Sequence, residues 1–84
     1  MATDISVQTN FVTMTGGTFT LPKGFTSAVV TNDGLVPATF TNTLGQTYAL
    51  KVGETFEWKN YGNYYTEILI NAAGTTVRIA YTTK

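Results

Sequence analysis

With 84 residues, no cysteine, no histidine and five acidic against five basic side chains, the chain is tightly bounded before any pattern is read. It has room for one domain. Disulfides, Fe–S clusters, ordinary zinc sites and His- or Cys-dependent catalysis are excluded. The single cations Lys23, Lys51, Lys59, Arg78 and Lys84 form no basic patch for nucleic acid, and no stretch of about 18 apolar residues is present to cross a membrane as a helix.

Along the chain, Thr, Val, Ile and aromatic residues outnumber strong helix formers, and no window carries apolar residues at i, i+3, i+4 and i+7. Residues 1–10, MATDISVQTN, include Asp4 and no apolar run, so no signal peptide is expected. In the first segment Ile5, Val7 and Phe11 share one parity with the polar Thr9 and Thr13, which predicts an edge strand or an assembly arm over 1–14. Phe19 and Leu21 alternate before a turn at Pro22–Gly24. A third strand holds Phe25, Ala28, Val29 and Val30 and ends at Asn32-Asp33-Gly34, where Gly34 is expected to supply positive φ. Ala38 and Phe40 lead to a turn at Leu44-Gly45, and Tyr48, Leu50 and Val52 alternate up to Gly53. Phe56 and Trp58 follow, then Ile68, Ile70 and Ala72, and finally Val77, Ile79 and Tyr81. Seven to eight short strands with turn signals between them predict an all-β single domain over 1–84, a small antiparallel β-sandwich or barrel.

The segment WKNYGNYYTE, residues 58–67, concentrates the rings. Trp58 shares parity with Phe56, which predicts a core position. Tyr64 and Tyr65 are adjacent and must point opposite ways on an extended chain, so one of them is expected at the surface. Exposed tyrosines suit a protein interface, and the interface residues expected are Phe11, Tyr61, Tyr64 and Tyr65. The alternative is a carbohydrate platform built from Trp58, Asn60, Asn63 and Glu67, with a ring stacked on a sugar and polar groups on its hydroxyls.

The acids Asp4, Asp33, Glu54, Glu57 and Glu67 show no spacing for paired acid–base work and read as solvated surface groups. Arg78 reads as a solvent-facing strand residue, or as a partner of Glu67 or Glu57. Asp33 falls short of a Ca²⁺ site, and Gly16-Gly17 lacks the Lys-Ser/Thr of a phosphate loop. No catalytic residue, cofactor or metal is expected. A small domain without a disulfide or metal gains stability from a partner subunit, which points to self-association.

The stretch from Ala28 to Tyr81 resembles small all-β virion proteins of tailed bacteriophages, of the capsid decoration, head-fibre and minor-capsid type. The likeness rests on a strand ending in Thr31-Asn32, the step Leu50, Gly53, Glu54, Phe56, and a closing Ile70–Ile79 hairpin. The resemblance implies a non-enzymatic structural protein, a capsid decoration (cement) protein in the first place. Its implied partners are itself, as a homotrimer or other symmetric oligomer, and the major capsid protein, with no nucleic acid and no membrane. It would be made in the host cytoplasm and reside in the virion. The competing reading is a carbohydrate-binding or adhesin-like module.

Overall fold

A computed structural model describes residues 8–59 and 64–83. It contains eight strands: β1 Gln8–Thr15, β2 Thr18–Leu21, β3 Ser27–Asn32, β4 Ala38–Thr41, β5 Thr47–Leu50, β6 Thr55–Trp58, β7 Ile68–Asn71 and β8 Thr76–Thr83. They form two four-stranded sheets, β1-β8-β3-β6 and β2-β7-β4-β5, and every pairing is antiparallel. The predicted all-β sandwich is therefore the fold. Interleaving the first strand with the last in one sheet and the second with the seventh in the other is the strand order of a jelly roll.

Alternation along each strand decides which side chains meet between the sheets. In the first sheet the register lines up Val12, Ile79, Val30 and Phe56 in one inward row and Tyr81, Ala28 and Trp58 in another. In the second, Phe19, Ile70, Phe40 and Tyr48 form the facing row. Leu21, Phe25, Val30, Leu50, Ile70 and Val77 are fully buried. Each such side chain contributes about 1.5–3 kcal/mol when it leaves water, so these rows hold the sheets together.

Three strand endings share one device. Asn32, Asn42 and Asn71 each accept a hydrogen bond through Oδ1 from the backbone N–H two residues on, at 3.0 Å from Gly34, Leu44 and Ala73. These Asx turns stop a strand with a side chain standing in for backbone, which is why Asn recurs there.

The structure corrects the expectations for Val52 and Gly34 and orients β1, whose odd residues Thr9, Phe11 and Thr13 face solvent at the sheet edge while Val12 and Met14 face the core. The partner strand decides this: cross-strand neighbours share a face, and Val77 and Ile79 of β8 are inward opposite Met14 and Val12. β5 ends at Leu50, leaving Val52 exposed in the turn that follows. Gly34 has no positive φ. It is required by crowding instead, since a Cβ there would stand 1.8 Å from Thr75 Oγ1 and 2.4 Å from Thr76 N.

Candidate functional site

Two regions present side chains in arrangements that the core does not demand. The first is the seam between β5 and β6, the edge strands of the two sheets on one side of the sandwich. Rings close this seam in place of ladder hydrogen bonds. Tyr48 and Phe56 meet with centroids 5.1 Å apart, Phe56 and Trp58 at 4.4 Å, and Phe40 reaches Trp58 at 5.3 Å. Tyr48 also stacks on Phe40 at 6.0 Å. Phe40 is buried, Phe56 and Trp58 are half-buried, and Tyr48 keeps 42% of its surface exposed.

A cleft of about 270 Å³ opens along these rings, with Asn42, Gln46 and Thr47 of the β4–β5 hairpin on its polar lip. The hairpin fixes that lip. Asn42 Oδ1 accepts from Gln46 N at 2.9 Å, and Asn42 Nδ2 donates to Gln46 Oε1 at 2.9 Å. Just beside the cleft, the Tyr48 hydroxyl donates to Glu54 Oε2 at 2.7 Å while Lys51 N donates to Glu54 Oε1 at 2.9 Å. The Lys51 amide, followed by the phenol, holds the Glu54 carboxyl below its ordinary range; the same carboxylate pushes the Tyr48 phenol up.

The second region is the outer face of the first sheet. Phe11, Ala80 and Val29 lie side by side across β1, β8 and β3. Phe11 is 80% exposed and Val29 37%. Thr13, Arg78, Thr31 and Thr55 make the adjacent row. A shallow groove runs beside Phe11, Val29 and Arg78. β1 is an edge strand whose sequence, QTNFVTMT, has no charge, proline or glycine to discourage further pairing.

The sequence-predicted residues distribute unevenly over these two regions. Phe11 stands on the outer face of the first sheet, on its edge strand β1. Tyr64 is exposed in the segment after β6, and Tyr65 is half-buried. Tyr65 pairs with Phe25 through Tyr65 N→Phe25 O at 3.0 Å, stacks on it at 5.0 Å and donates its hydroxyl to Lys59 O, so its ring supplies packing. Tyr61, Asn60 and Asn63 lie outside the described residues. Trp58 packs inward as expected and also lines the cleft, whereas Glu67 lies in a separate groove on the second sheet, with Thr20 and Thr41. Trp58 and Glu67 therefore do not share a pocket.

Tyr48, Phe40, Phe56, Asn42 and Gln46 are missed by sequence reasoning as a group. They come from β4, β5 and the hairpin between them in one sheet and from β6 in the other, and only the topology makes these adjacent. Arg78 pairs with Asp33 rather than with Glu67 or Glu57, because Thr31 brings the following Asp33 alongside Arg78 in the β3–β8 register. Glu57 lies 3.7 Å from Lys59. Glu54 belongs to the turn before β6, not to an alternating strand face. Among the described residues no three His, Cys, Asp or Glu side chains gather around a metal-sized space.

No protein-family model matches the chain, and no curated protein matches it significantly. Among solved structures it is similar to a solution NMR structure of a de novo designed double-stranded β-helix. That similarity has 21% identity and a TM-score of 0.51, and covers 88% of this chain and 95% of the designed one. It bears on the fold, in agreement with the strand order.

Proposed function

We propose that this chain is a non-enzymatic structural protein that acts by self-association and by docking on a larger shell, as a capsid decoration protein of a phage virion does. It would be made in the host cytoplasm and assemble on the major capsid protein. The observation that carries the reading is Phe11, 80% exposed beside Ala80 and Val29 on the outer face of an edge strand without charge or proline. A solitary soluble domain gains nothing from such a row, and an undefended edge invites a further strand. Net charge of zero removes the long-range repulsion that would oppose copies meeting. Jelly rolls recur in viral capsids, but also in lectins and cupins, so the fold alone adds only analogy.

The mechanism is burial. β1 pairs with a neighbouring edge, Phe11 and Val29 leave water, and repetition over a shell turns weak contacts into firm attachment. Light scattering over a hundredfold dilution is the test. The expected mass is a fixed multiple of 9.1 kDa, a trimer or other closed ring, that Phe11→Ser lowers toward the monomer without unfolding. A monomer at every concentration would withdraw self-association.

A further inference from the structure

We infer that the cleft between β5 and β6 is a binding site for a neutral saccharide, taken up with a sugar ring against Tyr48, Phe56 and Trp58. This site is separate from the β1 face and does not depend on assembly through it. Three observations carry the inference. The rings form a continuous row across the seam between the two sheets, with Tyr48 42% exposed and Phe56 and Trp58 half-buried along the cleft. Ring faces are electron-rich and attract the C–H groups that a pyranose presents on one face.

The outermost ring is also fixed in advance. An exposed tyrosine on an edge strand ordinarily samples several rotamers, but the Tyr48 hydroxyl is tied to Glu54, itself tied to the Lys51 amide. A platform held before the ligand arrives loses less side-chain freedom on binding. Gln46 is held likewise, its Oε1 occupied by Asn42, which turns its amide nitrogen into a donor placed at the lip.

The chemistry of the lining selects the ligand class. Phe40, Tyr48, Phe56 and Trp58 are flanked by the uncharged Asn42, Gln46 and Thr47. Among the described residues no cation lines the cleft to meet a phosphate, sulfate or carboxylate. A wholly apolar ligand would cover the Gln46 amide nitrogen and the Thr47 hydroxyl with nothing to bond them, which is costly. A ligand with one apolar face and a rim of hydroxyls satisfies both halves. At about 270 Å³, the cleft lies just under the usual range for enclosed small-molecule pockets. It therefore holds a ring or so of a longer glycan that continues along the seam.

The test is a titration of the full-length, isotope-labelled chain with soluble gluco-, manno-, xylo- and chito-oligosaccharides to millimolar concentration, followed by amide and indole NMR signals. Trp58 is the single tryptophan, so its indole signal and fluorescence report the cleft directly. The expected result is saturable shifts at Trp58, Tyr48 and Gln46 with at least one of the four series. Tyr48→Ala should weaken binding about tenfold or more, Gln46→Ala should weaken it less, and Phe11→Ser should leave it unchanged. Spectral dispersion confirms that each variant is folded. The inference fails if none of the four series shifts these signals, or if folded Tyr48→Ala and Gln46→Ala both bind as well as the parent chain. It fails equally if a proline-rich peptide shifts the cleft signals where the saccharides do not, since aromatic grooves also take such peptides.

Discussion

Asn32 is the polar side chain on which most of the connections at one end of the sandwich depend. It is fully buried, donates to Val36 O at 2.9 Å and Leu50 O at 3.0 Å, and accepts from Gly34 N and the buried Thr75 hydroxyl. One amide thus ties the β3–β4, β5–β6 and β7–β8 connections, and buried networks of this kind are costly to leave half-satisfied. Asn32→Asp keeps the shape but replaces a donor with acceptors facing two carbonyls, so a loss of about 3 kcal/mol or more is expected. Gly34→Ala should cost about 2 kcal/mol or more, because backbone at Thr76 blocks the new methyl. Asp33→Asn breaks only the exposed pair with Arg78 and should cost less than about 1 kcal/mol. Urea unfolding of the three variants checks the ranking, and an Asn32→Asp protein as stable as Asp33→Asn would refute the hub. The turn at 32–34 was legible as a turn. Its anchor was not, because a buried asparagine and a solvated turn asparagine look the same in sequence.

Among the elements, β1 and the β5–β6 seam show what alternation can and cannot supply. Inward parity was readable where a polar residue separates the apolar ones, as Arg78 separates Val77 from Ile79, and the alternation of Ile68, Ile70 and Ala72 held although Leu69 between them is exposed. β1 mixes Phe11 on one parity with Val12 and Met14 on the other, and only its pairing with β8 breaks the tie. The lock between Tyr48 on β5 and Glu54 before β6 makes a pH-dependent contribution to this seam. The Glu54 carboxyl is lowered in the fold, so its contribution is present above the ordinary carboxylate range and is lost as pH falls through the lowered value. The Tyr48 phenol is raised, so its contribution is present below its ordinary value of about 10 and is lost as pH climbs through the raised one. The stability difference between the parent chain and Glu54→Ala should accordingly be flat from about pH 5 to 9 and shrink on both sides. A difference unchanged at the acid and alkaline extremes would show that the lock contributes nothing.

For the whole molecule, the strand count and the sandwich were legible, but the order of strands was not. No local signal says that residue 8 pairs with residue 83 or residue 18 with residue 71. These distant pairings, together with the seam they create, are why the cleft residues stayed scattered in the sequence. They also set folding speed, because loop closure over most of the chain must precede any ladder contact between β1 and β8. Refolding from urea is expected in milliseconds to seconds, with no faster two-state phase, since long-range all-β topologies fold in that range. Microsecond refolding would contradict the role given to β8, which lies between β1 and β3 at the centre of its sheet.

The pairing of Gln8 with Thr83 has a practical side as well. Both ends of the described fold emerge at one pole, the pole of the β4–β5 hairpin, while the connections tied by Asn32 occupy the other. A tag, fluorophore or second domain joined directly at Gln8 or at Thr83 would therefore leave from the same side and leave the Asn32 pole uncovered. A short linker joining the two ends, with the chain reopened between Gly16 and Gly17, would give a permuted protein whose attachment point is moved to the opposite pole. The domain thus offers a small, cysteine-free carrier whose cargo can be pointed in either of two directions.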